Sequence, residues 1–169
     1  DGNLFFNGNV RSWNDRFNTN VVMVRVASDG TLSWVRELQE SFAQEARDIG
    51  NNAEIGGSQD SIDVNGDFAY LGVERYLSTG NSPTCYVTQV NADTGAFVWG
   101  RTINNSTTAE SPPTAATTTR CNAIDASLPD RVMVAGQLAD SAGGFIAALS
   151  KTDGALLYAR TFGNAVATR

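Results

Sequence analysis

The chain has 169 residues, 41% of them hydrophobic, and carries 18 acidic against 12 basic side chains, for a formal charge of -6. That balance repels phosphate backbones and gives no electrostatic basis for binding nucleic acid. No apolar run approaches the roughly 18 residues that cross a bilayer and no polybasic tract marks a membrane surface, so no membrane insertion is expected.

Histidine is absent, which removes Ser-His-Asp and Cys-His chemistry, imidazole acid-base catalysis and His-ligated metals. Asp1 stands where an initiator Met would, with no signal pattern before it, and the expectation is a processed chain or a piece of a longer one.

In chain order, the first predicted strand runs through Gly2-Asn3-Leu4-Phe5-Phe6-Asn7-Gly8, and a second alternates Val22, Val24 and Val26 with Met23 and Arg25. Asp29-Gly30 then supplies a turn, followed by Trp34 and Arg36. From Glu37 to Arg47 the pattern Leu38, Phe42, Ala46 permits a short helix, but the segment's place between two repeating units favours a long loop. Next come Ser61-Ile62-Asp63-Val64 and Phe68-Ala69-Tyr70-Leu71, with Asn65-Gly66 between them as the expected type I′ hairpin turn. Tyr86 to Val90 is rich in β-branched and aromatic residues, and Asp93-Thr94-Gly95 leads to Trp99 and Arg101. Asn104 to Arg120 is rich in Ser, Thr, Ala and Pro and reads as a surface loop. The last unit has Ile124-Asp125, Asp130 to Gly136, Phe145 to Leu149, Asp153-Gly154, Tyr158 and Arg160.

These elements repeat. Gly2 to Gly8 aligns with Gly66 to Gly72 and with Asp130 to Gly136, at a spacing of 64 residues both times. The turn, aromatic and arginine recur downstream as Trp34/Arg36, Trp99/Arg101 and Tyr158/Arg160. Ile62-Asp63 and Ile124-Asp125 precede the strand in the two complete copies. Four-stranded units of this length, with Gly turns and a terminal aromatic, are the pattern of a propeller blade.

The stretch Gly66 to Gly72, followed by Val87 to Trp99, resembles the SBBP-type and quinoprotein-like β-propeller repeats, and the likeness covers nearly the whole chain. The expected fold is therefore all-β, with about three blades of a larger propeller: residues 1–40 an incomplete blade lacking its innermost strand, 41–103 and 104–162 full blades, and 163–169 the start of another repeat. Propellers close with four or more blades, so a fragment of a longer array is expected ahead of copies that associate to complete a ring.

Cys85 and Cys121 are too far apart for a CxxC motif; they fall at strand starts in neighbouring copies, and the expectation is a disulfide between blades, against two unrelated buried thiols. Asn104-Asn105-Ser106-Thr107 holds two overlapping glycosylation sequons, on Asn104 and Asn105. Asp63-Val64-Asn65-Gly66-Asp67 resembles a calcium loop but lacks the downstream Glu. Recurrence of Asp63 and Asp125 points to bonding of turn amides rather than to paired-carboxylate catalysis, and recurrence of Trp34, Trp99 and Tyr158 to packing rather than to sugar stacking. No catalytic residue, cofactor or metal site is expected.

The function these features favour is a non-catalytic, extracellular structural or interaction module, whose partners are a protein or further copies meeting at blade faces or edges, with a glycan possible. The alternatives are a quinoprotein-like dehydrogenase fragment, implied by the resemblance, and a carbohydrate-binding propeller.

Overall fold

The computed structural model describes residues 2–11, 19–37, 54–55, 61–76, 83–103, 119–138 and 143–163. Among them the chain is all-β, with three antiparallel sheets and no helix. The first sheet has the order β1 (Leu4–Arg11), β2 (Thr19–Val26), β3 (Leu32–Glu37). In the second, β6 (Phe68–Tyr76), β7 (Pro83–Asn91) and β8 (Phe97–Ile103) are consecutive neighbours. β4 (Glu54–Ile55) and β5 (Ser61–Asn65) share the free edge of β6, β5 pairing with its first half and β4 with its end. The third runs β9 (Thr119–Asp125), β10 (Arg131–Leu138), β11 (Gly144–Ser150), β12 (Leu156–Phe162).

The helix-or-loop segment lies outside the described residues, apart from Glu37 at the end of β3, and so do both sequons.

Two cores form, one on each side of the middle sheet. Val21, Met23 and Trp34 of the first sheet pack on Ala69, Leu71, Val73, Tyr86 and Val90 of the second. Tyr70, Cys85, Val87, Trp99 and Ile103 meet Val132, Val134, Phe145, Ala147 and Leu149 of the third. Because the middle sheet is covered on both faces, every residue of β7 from Thr84 to Val90 is buried, and the strict two-residue alternation expected along it gives way to a continuous buried run.

Two details correct the sequence reading. The tight hairpin between β5 and β6 is centred on Gly66-Asp67, since Asn65 pairs directly with Phe68. Of these two only Gly66 has positive φ, 60°, and among the described residues no non-glycine does. A lone left-handed glycine in the first central position belongs to a type II′ turn, not to I′.

The second concerns register. Phe5, Arg25 and Trp34 lie side by side across the first sheet. Asp63, Tyr70, Gln89 and Trp99 make the same row in the second, and Asp125, Met133, Ala148 and Tyr158 in the third. A bulge follows each row at the same place, after Arg25, Gln89 and Ala148. Phe5, Tyr70 and Met133 are thus equivalent, one residue off the glycine-based alignment in both directions. A slip of one residue turns each side chain to the other face, so the difference decides which residues meet the neighbouring sheet.

Candidate interaction site: a dock that repeats between sheets

The first and second sheets each present one face to the next sheet in the chain. On that face Trp34 and Arg36 of β3 meet the turn between β7 and β8. The Trp34 Nε1 donates to the carbonyl of Ala92 at 3.0 Å, and the Arg36 Nη2 donates to the carbonyl of Thr94 at 2.9 Å. One sheet later the pattern returns. The Trp99 Nε1 donates to the carbonyl of Lys151 at 3.0 Å, and the Arg101 Nη2 to that of Asp153 at 2.9 Å.

Glycine makes the close approach possible. A Cβ on Gly95 would stand 2.6 Å from the Arg36 Cγ and 3.0 Å from the Trp34 ring; on Gly154 it would stand 2.6 Å from the Trp99 ring and 2.9 Å from the Arg101 Cγ. Both glycines also have positive φ, 68° and 72°, so one residue type answers the turn and the packing together. The turns are held in shape from within. Asn91 Oδ1 accepts from the amides of Asp93 and Thr94 and from the Thr94 hydroxyl, while Asp153 Oδ1 accepts from the Ala155 amide.

The aromatic rings fill rather than display. Trp34 is 7% and Trp99 5% exposed, each covered by the next sheet's turn, and Phe5 meets Trp34 edge-on at 6.1 Å. For these two rings this is packing, as their recurrence implied, whereas Tyr158, their counterpart in the third sheet, is 39% exposed.

Other contacts differ between the two docks. At the first, Arg25 forms an ion pair with Asp93 at 3.0 Å and also donates to the Asp93 carbonyl. At the second, Cys85 of β7 is disulfide-bonded to Cys121 of β9, joining neighbouring sheets. Beside the bridge the Thr119 hydroxyl accepts from the Cys85 amide and donates to the Ile103 carbonyl. Gly72 lies beside it, where a Cβ would touch the Cys121 Cβ at 3.4 Å, an ordinary contact.

Asp63 does what its recurrence suggested. Its Oδ1 accepts from the Val64 amide and its Oδ2 from the Ala126 amide, across the sheets, at 2.6 Å. Asp125, its counterpart, accepts from the Ser127 amide, and the Ser127 side chain first, then that amide, holds its carboxyl below the ordinary range. Carboxylates committed to amides in this way are structural. Among the described residues no three of His, Cys, Asp and Glu converge on a point that could hold a metal ion, and no helix is long and apolar enough to cross a membrane.

Lys151, the single lysine, carries a role that its sequence context did not reveal. Its ammonium donates to the Ala126 carbonyl at 2.6 Å and lies 5.4 Å from the centre of the Tyr70 ring. It clamps the turn that receives Trp99 onto the middle sheet. Tyr70 is itself held by the Gln89 amide at 3.1 Å, and burial first, then the nearby Asp63 charge, raises its phenol above the usual range. A shallow groove, lined by Phe97, Val98, Thr152 and Asp153, runs along the outer rim of this dock.

Compared with models of protein families and with curated proteins, the chain matches none.

Proposed function

We infer that the three sheets are successive blades of a propeller-type array and that the chain serves as a non-catalytic structural or interaction module outside the cell. The observation that carries this reading is the repetition of the dock. Trp, Arg and Gly perform the same task at both junctions, so the chemistry of the chain goes into joining one sheet to the next. Proteins that stack equivalent units in this way offer extended surfaces rather than a single reactive centre.

The Cys85–Cys121 disulfide supports the compartment, because such bridges persist in oxidising surroundings. Two measurements test the reading. Glycopeptide mass spectrometry of protein from its native source should find glycan on Asn104 or Asn105 and both cysteines oxidised; bare asparagines with free thiols contradict an extracellular site. Turnover of alcohols or sugars by the purified protein, with added quinone and calcium, would remove the non-catalytic reading.

A further inference from the structure

The first and third sheets each carry half of the dock, and among the described residues nothing is seated on it. In the second and third sheets the receiving face is buried: Ala69, Leu71 and Val90 in one, Val132, Val134 and Leu149 in the other. By register the same positions in the first sheet are Leu4, Phe6 and Val26. Leu4 is 55% and Phe6 51% exposed. The receiving turn is present as well, at Ala27 to Gly30, with Gly30 at φ 85°. A Cβ on Gly30 would meet nothing within 4 Å, where Gly95 and Gly154 are closed over.

At the other end, Tyr158 and Arg160 occupy the positions of Trp99 and Arg101. Arg160 already holds the docking conformation. Its Nη1 donates to the preceding carbonyl, of Ala159, at 3.0 Å, as Arg36 does to Val35 and Arg101 to Gly100. In those two the Nη2 is thereby aimed at the next sheet's turn; among the described residues nothing accepts from the Nη2 of Arg160. Ile146, equivalent to the fully buried Val87, is 39% exposed beside it.

We propose that these halves belong together: a second copy of this chain docks head to tail, the Tyr158/Arg160 face of one copy closing over the Leu4/Phe6 face and Asp29 turn of the next. The proposal rests on the interaction-module reading and supplies its partner. The chain's own opposite end is the surface that carries the complementary set: an apolar receiving face, a left-handed glycine, and the Asp29 carbonyl and carboxylate for the Arg160 guanidinium. The two ends each depart from the internal docks. The turn at Ala27 to Gly30 closes with Gly30 donating three residues back, whereas Gly95 and Gly154 donate four back. Opposite that shorter turn stands a tyrosine, whose hydroxyl donates to the Met133 Sδ of its own sheet at 3.4 Å.

Such a contact joins two different surfaces, so it propagates until a ring closes. Sedimentation of the 169-residue chain, from about 1 µM to about 1 mM, should show association that strengthens with concentration. Phe6→Asp blocks the head and Arg160→Glu the tail, and both side chains are exposed, so at low concentration, where the parent is monomeric, far-UV circular dichroism and thermal midpoints should match those of the parent chain. Each variant alone should be monomeric, its self-affinity lowered at least about tenfold, while an equimolar mixture should form a dimer and stop there. A parent chain that stays monomeric overturns the proposal, as do single variants that still self-associate. Either result leaves the module reading standing, since that reading falls to turnover and not to monomeric behaviour.

Discussion

Alanine at Gly154 and at Gly30 makes a pair of perturbations that isolates the dock. Both glycines have positive φ, 72° and 85°, so each substitution carries the left-handed cost of about 1–2 kcal/mol. Only Gly154 has a neighbour to strike: its new methyl would lie 2.6 Å from the Trp99 ring and 2.9 Å from the Arg101 Cγ. Overpacking of that kind adds about 1–3 kcal/mol, and a displaced indole also forfeits its bond to the Lys151 carbonyl, worth about 1 kcal/mol. In urea titrations read by tryptophan fluorescence, with a slope of about 2–3 kcal/mol per molar, the midpoint should fall by about 0.5 M for Gly30→Ala and about 1–3 M for Gly154→Ala. The folded Gly154→Ala protein should also emit to the red of the parent as Trp99 meets water. Measurements belong at low protein concentration, where Gly30 is uncovered. Equal midpoint shifts for the two variants would refute the reasoning, because the dock would then contribute nothing that the turn itself does not.

Three further outcomes follow from particular contacts. Replacing Cys85 and Cys121 together by serine opens a loop of sequence separation 36, and the loop-entropy relation gives a loss of about 4 kcal/mol. For a chain of this size that lowers the thermal midpoint by about 10 °C, measurable by calorimetry; an unchanged midpoint contradicts it. Asp63→Ala strands the Val64 and Ala126 amides and should cost about 1–3 kcal/mol in the same assay, whereas Asp63→Asn, which keeps an accepting oxygen, should cost less. Acid should destabilise the protein through its turns. Asp29 is held below its ordinary 3.8 by bonds from the Thr31 hydroxyl and amide, Asp125 by Ser127, and Asp153 by the Ala155 amide and then Ser150. A depressed carboxyl stabilises the fold above its unfolded value and loses that contribution as pH falls through its folded one. Thermal midpoints should therefore be level above about pH 5 and decline below about pH 4; a decline already complete at pH 5 would rule these groups out as its cause.

The sequence made the repeats, the turn glycines and the Trp-Arg pairs legible because each answers a local demand: a left-handed turn, an aromatic at a strand end, an alternating strand. The cysteine pair was legible too, from its placement in neighbouring copies. Register was not. Gly72 and Gly136 were matched as one position, but they exist for different reasons. A Cβ on Gly72 would meet the Ser61 Oγ at 3.3 Å and only touch Cys121, while one on Gly136 would strike the Arg120 carbonyl and the Phe145 ring. Gly136 in fact shares its place with Val73 and Gly8. A glycine inside a strand records what approaches it, and the approaching group lies elsewhere in the chain. The clamps made by Lys151 and Arg25 were hidden for the same reason: the Tyr70 ring that Lys151 meets and the Asp93 backbone that Arg25 bonds lie on another sheet, which no spacing of residue types reveals. Asn65-Gly66 also misled, since the pairing of Asn65 with Phe68 moves the turn one residue along.

The central claim is that one kind of junction, used twice, sets the sheets about a common axis. An experimental structure of the 169-residue chain tests it through two superpositions, first sheet onto second and second onto third, with Phe5, Tyr70 and Met133 matched. The account predicts the same rotation about the same axis, with Trp34 and Trp99 both capped by a carbonyl of the following turn. Two unrelated rotations, or an indole turned to solvent at either junction, would contradict it.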